Sequence, residues 1–372
     1  MSRSPLALYL HVPFCDGKCP YCDFYSLPAD DSVMDRYIDA MEQALAHWSA
    51  TLCRPVHSVY LGGGTPSQLG PRRLLRLLKA VFTSFSVLPS AEVTMEANPT
   101  RDLSDIWAAA SAGGVNRASI GLQSSNPKEL QLLGRRHTAD QAFDAVIQAR
   151  KAGIQNVSLD LMLALPGQGE QEIGASVAFC KQCRADHVSA YLLKIEEGTP
   201  FARQRDSLTL PDDDRAADLY LFACEALEQA GYRQYEISNF AHPGREGQHN
   251  LTYWRDEEYL GLGPGAHSFI ENERFYYPRN LTAFLRGDAP TKDGSGGSLE
   301  ECVMLALRLR EGIARQTLLT RYGQAGDRAY TRMARRASPF QKAGLIQVTG
   351  DHLSLTPKGF LVSNELISEL LL

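Results

Sequence analysis

The stretch Leu6-Ala-Leu-Tyr9-Leu-His11-Val12-Pro13-Phe14-Cys15-Asp16-Gly17-Lys18-Cys19-Pro20-Tyr21-Cys22 joins a short apolar run to three cysteines within eight residues. The run, Leu6 to Val12, reads as a strand, and C-x3-C-x2-C follows at its carboxyl end. Similar runs recur downstream at Val56–Leu61, Glu92–Ala97, Ala118–Gln123, Val157–Leu163 and His187–Leu193. Helical periodicity separates them. Met34, Tyr37, Ile38, Met41, Leu45 and Trp48 recur at three- and four-residue steps behind Ser32, which is expected as the N-cap. Leu74, Leu75, Leu78 and Phe82 repeat the pattern, as do Ala142, Val146 and Ala149 before a helix stop at Gly153. Strands alternating with helices predict an α/β fold with a parallel, helix-covered sheet. Six units predict an incomplete six-stranded (β/α)6 TIM-type barrel, although a doubly wound sheet satisfies the same periodicity.

Composition changes beyond this array. Tyr235 to Phe269 is rich in Gly, His, Asn and aromatics, and residues 286–299 have the Gly, Asp and Ser content of a linker. Residues 300–372 then form a separate C-terminal unit. Glu300 to Gly312 reads as a helix, Leu345–Val348 and His352–Leu355 as a hairpin turning at Gly350-Asp351, and Thr356-Pro357 as the start of a last helix. Helices around a small hairpin predict a winged-helix-like module. The domain reading is thus 1–285, a linker at 286–299, and 300–372.

The chain has 372 residues, 44% hydrophobic and 22% charged, as expected of a globular protein. Lys+Arg 38 against Asp+Glu 43 leaves a net charge of -5, without the basic footprint of a nucleic-acid binder. No apolar run approaches the ~20 residues that span a bilayer, and the N-terminus carries no secretory pattern. The expected location is the cytoplasm, where the 8 cysteines stay reduced.

Three close thiolates suit iron–sulfur or zinc chemistry. They can hold three irons of a [4Fe–4S] cube and leave the fourth iron open. S-adenosylmethionine (SAM) can chelate an open iron through its amino and carboxylate groups, and one electron then cleaves the sulfonium to give a 5′-deoxyadenosyl radical. The alternative is a zinc site in which His11 joins Cys15, Cys19 and Cys22.

The motif Tyr9-x-His11-x-Pro13-Phe14-Cys15-x3-Cys19-x-Tyr21-Cys22-Asp23-Phe24 resembles the radical SAM proteins around oxygen-independent coproporphyrinogen III oxidase. The likeness extends to Gly62-Gly63-Gly64-Thr65-Pro66-Ser67, Glu96-Ala97-Asn98-Pro99, Arg117-x-Ser119-x-Gly121-x-Gln123, Leu133-Gly134-Arg135-Arg136-His137 and Asp160–Gln168. It runs through the C-terminal module and implies an incomplete six-stranded radical SAM barrel. It also implies a [4Fe–4S] cluster on Cys15, Cys19 and Cys22, and SAM against Tyr9, Tyr21, Gly64, Thr65, Glu96, Gln123, Arg135 and Asp160. On its own, Gly62–Gly64 is an ordinary tight turn and Glu96 a strand-end acid. Asp160, among Leu159, Leu161, Met162 and Leu163, needs a partner: ligand ribose hydroxyls or a cross-strand cation.

Two departures separate the chain from the oxidases within this resemblance. Phe24 stands where those enzymes carry a further cysteine, and only fourteen residues precede Cys15. Both point to the related HemW-type haem chaperones, which bind haem and transfer it to acceptor proteins. His249-Asn250-x-x-Tyr253-Trp254 is similar to their HNxxYW motif, which makes His249 the haem-ligand candidate and His267 a secondary one. Acceptors implied by the likeness include membrane-bound respiratory proteins, reached peripherally. The competing functions are the oxidase's radical decarboxylation and an RNA-acting radical SAM protein. The latter has little support, because the C-terminal module carries only a slight excess of base over acid. Cys180-x-x-Cys183 is expected to be helical rather than redox-active, and Arg332, Arg335 and Arg336 to form a solvated face.

Overall fold

The computed structural model describes residues 4–100 and 102–372. The six runs become parallel strands β1 (Leu6–Val12), β2 (Val56–Gly63), β3 (Val87–Ala97), β4 (Arg117–Gln123), β5 (Asn156–Leu163) and β6 (His187–Leu192). They pair in sequence order, with helices Asp31–Leu52, Gly70–Ser84, Ser104–Ala112, Ala139–Lys151 and Glu170–Gln182 as crossovers. A doubly wound sheet reverses its order at a switch point, and this one does not.

The sheet continues past both ends of the parallel array. β7 (Arg233–Gln234) and β8 (Asn239–Ala241) run beside β6. Beside β1 lies β9 (Tyr259–Leu262), parallel to it, followed by antiparallel β10 (His267–Ile270), β11 (Glu273–Tyr276) and β12 (Thr291–Ser295). The outermost strands, β12 and β7, do not pair with each other among the described residues. The barrel is therefore open. β12 also lies inside residues 286–299, where composition predicted a linker. Glycine-rich chain can still serve as an exposed edge strand because backbone pairing needs no particular side chain.

The parallel strands alternate strictly. Val59, Leu61, Val93, Met95, Ala118, Ile120, Val157, Leu159, Leu161 and Val188 are buried in the core with the apolar stripes of the helices. Their neighbours turn into the barrel and are mostly polar, including Ser58, Tyr60, Glu92, Glu96, Arg117, Ser119, Asp160, His187 and Ser189. An ordinary TIM barrel packs its interior with branched aliphatics; this interior is built to hold polar groups.

Helix Asp31–Leu52 is capped two residues before the expected Ser32. Asp30 is extended and its carboxylate accepts from the Val33 amide at 2.9 Å, which leaves Ser32 inside the first turn. The helix expected over Glu300–Gly312 spans only Leu299–Ala306, and Gly312 turns the chain at φ 66°. In the C-terminal module β13 (Ile313–Ala314) joins the expected hairpin, β14 (Ile346–Thr349) and β15 (His352–Leu355), in a three-stranded sheet. The module is tied to the barrel by Ile237 N–H to Arg308 O and Arg310 N–H to Tyr235 O, both 3.0 Å.

Candidate functional site

The chain leaves β1 into a loop closed at its neck. Cys15 N–H donates to Leu27 O (3.1 Å) and Leu27 N–H to Pro13 O (2.9 Å), so entry and exit are pinned side by side. Inside the loop Cys22 N–H closes a turn on Cys19 O, and Phe201 N–H bonds Pro20 O. Cys15, Cys19 and Cys22 are half-buried and line one cavity of about 330 Å³ at the carboxyl ends of the strands. Tyr21, Gly64, Thr65, Glu96, Gln123, Arg135 and Asp160 line the same cavity. Seven of the eight residues expected to face SAM thus converge with the cysteines.

Tyr9 is the exception. It is on the inward face, but its hydroxyl is bonded to His11 Nδ1 at 2.9 Å and its ring lies beneath the cavity wall. His11 Nε2 is paired with Tyr25 O at 2.9 Å. Both nitrogens of His11 are therefore engaged away from the cysteines. Among the described residues, no three His, Cys, Asp or Glu side chains are grouped to hold a single metal ion. The donor set fits a multi-iron cluster, in which each thiolate takes its own iron, better than the zinc site considered from spacing.

The glycine loop after β2 is stitched to the cysteine loop. Gly64 N–H donates to Val12 O (2.8 Å) and Thr65 N–H to Phe14 O (2.7 Å). A Cβ on Gly64 would lie 2.6 Å from Phe14 O, so only glycine allows the approach. Thr65 Oγ1 reaches Cys15 Sγ at 3.5 Å and accepts from Asn98 Nδ2 at 2.9 Å. Asn98 Oδ1 in turn accepts from Arg135 Nη2 (2.7 Å), while Arg135 Nη1 reaches Cys19 Sγ at 3.7 Å. The guanidinium also holds Gly121 O at 2.8 Å. Beyond it Gln123 ends β4 at φ 69°, a left-handed conformation rare for a non-glycine residue and typical of functional sites.

Two carboxyl groups face each other across the cavity. Burial pushes the Glu96 pKa up to about 7, against the opposing pull of hydrogen bonds from Tyr60 Oη (2.7 Å) and Gly63 N–H (3.2 Å). Burial also raises Asp160, whose partners are the hydroxyls of Ser119 (3.2 Å) and Ser189 rather than a contacting cation. The cross-strand salt bridge considered for Asp160 is not what holds it.

His249 is placed differently from its expected role. It lies on the short helix Gln248–Trp254, which closes the amino-terminal end of the barrel as a floor. Glu92, pointing inward from β3, accepts from the backbone N–H groups of Gln248 (3.0 Å) and His249 (3.1 Å). The imidazole is 1% exposed. Its Nδ1 is paired with Ser58 Oγ (3.0 Å) and its Nε2 with Tyr253 Oη (2.7 Å). Burial holds its pKa down at about 3. In this conformation it offers no free nitrogen to a haem iron. His267 is exposed at the start of β10 and stacks on Tyr276.

Asn98, Ser119, Ser189, Tyr60, Tyr191 and Asn250 also line the cavity and were not singled out as candidates. Strand alternation was the available signal for Tyr60, Ser119, Ser189 and Tyr191, which fall on the inward-facing positions of β2, β4 and β6, although no candidate had marked that face on β6. Asn250 was quoted only as part of the motif around His249, and the fold brings it to the cavity. Cys180 is buried in its helix and Cys183 caps it; of the three arginines expected on a solvated face Arg332 and Arg335 are exposed, whereas Arg336 is half-buried and its Nη1 donates to Glu369 O at 3.3 Å.

A parallel βα barrel with three cysteines after its first strand and an acid-bearing cavity above defines a radical SAM architecture. Residues 9–180 match the radical SAM superfamily and residues 298–362 the HemN C-terminal domain. The chain is 38% identical to the heme chaperone HemW of Mycobacterium tuberculosis (strain CDC 1551 / Oshkosh), across 100% of this chain and 96% of that protein. It is 32% identical to the heme chaperone HemW of Bacillus subtilis (strain 168), across 98% of each. Coproporphyrinogen III oxidase (HemN) from Escherichia coli, a radical SAM enzyme, superposes with a TM-score of 0.84 over 99% of this chain and 90% of that one. At 23% identity that likeness shows a common fold. The chain belongs to the HemW family of the radical SAM superfamily. Among the described residues no helix is long and apolar enough to cross a membrane.

Proposed function

We propose that this protein is a haem chaperone that carries a [4Fe–4S] cluster and SAM and delivers haem to acceptor proteins. The observation that carries the reading, beside full-length likeness to HemW chaperones, is Phe24. It is 63% exposed at the mouth of the cofactor cavity, at the position where the oxidases carry a further cysteine. An apolar ring there cannot ligate metal or transfer a proton, but its face suits a flat porphyrin.

Cys15, Cys19 and Cys22 hold the cluster in this reading. When bound, it supplies one electron to SAM at an iron without a protein ligand. Glu96 accepts hydrogen bonds from the amino end of SAM, Gly64 and Thr65 lie along its amino-acid portion, and Asp160 accepts from ribose hydroxyls. Asn98 fixes Thr65 and Arg135 relative to each other, and Arg135 sets a cation beside Cys19. Gln123 and Tyr21 complete the wall. For His249 to ligate haem, its helix has to leave the floor and give up Ser58 and Tyr253. The protein works in the cytoplasm and meets membrane-bound acceptors only peripherally.

The test is a haem titration of anaerobically reconstituted protein, followed at the Soret band, beside a coproporphyrinogen III decarboxylation assay. Saturable one-site haem binding with no decarboxylated product is expected. Product formation, or no specific haem binding, overturns the reading.

A further inference from the structure

The helix carrying His249 is built into the support of the cofactor cavity. The imidazole stacks on the Tyr60 ring, with centroids 5.1 Å apart and an interplanar angle of 28°. The Tyr60 hydroxyl donates to Glu96 Oε1 at 2.7 Å, and the other oxygen of Glu96 takes Gly63 N–H at 3.2 Å. The imidazole is itself locked on both edges, by Ser58 from β2 and Tyr253 from its own helix. Gly62 leaves room for this arrangement. A Cβ there would stand 2.8 Å from the Tyr60 ring and 3.0 Å from Glu96 Oε1. Asn250, the next residue of the helix, lines the cavity directly.

We infer that His249 is a positioning residue for the SAM pocket: its imidazole fixes the Tyr60 ring, and Tyr60 fixes the Glu96 carboxylate that receives SAM. This rests on the reading of Glu96 as acceptor for the amino end of SAM. The chain of contact is continuous, from a ring clamped by two hydrogen bonds, to a ring stacked on it, to a carboxylate held by that second ring. Besides its own bond to Glu96, the Tyr60 ring is flanked by Tyr9, whose centroid is 6.2 Å away and tilted, so the closer His249 stack is the contact that sets the ring plane. Without the Tyr60 hydroxyl, Glu96 loses a donor that orients it and favours its ionised form. The groups facing Glu96 are Asp160 from β5, Arg117 from β4, Tyr191 from β6, Tyr60 from β2, Tyr9 from β1 and Tyr253 from the floor helix. Arg117 alone among them is cationic, so the two close donors, Tyr60 Oη and Gly63 N–H, keep Glu96 an acceptor near neutral pH, and Tyr60 is the shorter of the two.

The experiment measures SAM dissociation constants by anaerobic equilibrium dialysis on reconstituted protein, with iron content and cluster absorption as the check that the three cysteines are loaded. Glu96→Gln, Tyr60→Phe and His249→Ala are each expected to weaken SAM roughly tenfold or more at neutral pH with the cluster intact. His249→Phe keeps an aromatic face beneath Tyr60 and is expected to retain affinity within about threefold of wild type, a rescue that neither a haem-ligand role nor loss of buried hydrogen bonds would give. The Tyr60→Phe deficit is expected to narrow at alkaline pH, where Glu96 ionises unaided. Wild-type SAM affinity in either Tyr60→Phe or His249→Ala, with Glu96→Gln impaired, overturns the positioning role. Wild-type affinity in Glu96→Gln overturns the reading of Glu96 beneath it. Should His249→Ala fail to fold, Ser58→Ala, which frees one edge of the imidazole, takes its place: weakened SAM binding is expected, and wild-type affinity overturns the positioning role.

Discussion

Glu92 and Glu96 lie on the same strand and the same face, two side-chain repeats apart with Thr94 between them. Glu92 is at the floor, and both its oxygens are taken by backbone N–H groups of the closing helix, with the buried Arg117 4.0 Å away. Glu96 is at the rim, and burial leaves it a pKa of about 7 and a coordination shell that a ligand can complete. The same side chain in the same strand is structural where the protein satisfies it and receptive where it does not. The difference is set by what the chain brings opposite, not by the strand itself.

The largest effect that would test this contrast is expected from Glu92→Ala. It uncaps the floor helix and leaves Arg117, buried in the barrel, without its carboxylate, and removing one partner of a buried ion pair costs about 4 kcal/mol. Thermal or urea unfolding of the reconstituted protein reads it. A loss below about 1 kcal/mol would show that the floor does not depend on Glu92.

Acid should also strike the floor. The folded pKa of His249, about 3, is below its ordinary value of 6.5. Its contribution to stability is therefore complete above pH 6.5 and is lost as pH falls from there toward 3. By about pH 4 the wild type is expected to have lost roughly 3 kcal/mol that His249→Phe does not lose. Parallel acid profiles for the two proteins would place His249 outside the folded core.

At the rim the sign reverses. The folded pKa of Glu96 is raised from the ordinary 4.5 to about 7, so its cost to the folded state grows as pH rises through that interval. Glu96→Gln should therefore stabilise the SAM-free protein by about 2 kcal/mol near pH 8, with the gain shrinking toward pH 5. Calorimetry at the two pH values checks it. A smaller pair sharpens the same contrast. Ser58→Ala, which strips a buried partner from His249, is expected to cost about 1 kcal/mol, and Ser119→Ala beside Asp160 about half of that.

Much of this division was legible before the structure. The six apolar runs gave the strands, and C-x3-C-x2-C after the first of them gave the cluster loop, because both are local patterns. Gly64, Thr65, Glu96, Gln123, Arg135 and Asp160 came from the family resemblance, and the fold brings those motifs together around one cavity. The floor was not legible. His249 meets Ser58 and Glu92 across 191 and 157 residues of chain, and no periodicity encodes a contact at that separation. A histidine in an aromatic motif looks the same whether its nitrogens are free or taken. Tyr9 failed for a related reason, since facing inward does not specify depth. Composition misled at residues 286–299, where glycine content hid the edge strand β12.

The pinned neck of the cysteine loop has a consequence for how the protein is assembled. Cys15 and Leu27 are fixed to each other through backbone bonds that involve no sulfur, and the barrel beneath is held by its own apolar core. In zinc fingers metal binding and folding are a single event, and the empty chain is unfolded. Here the neck and the core use no sulfur, so the cluster-free polypeptide is expected to keep its fold and to take iron and sulfide afterwards, which thermal unfolding before and after iron chelation and reconstitution checks.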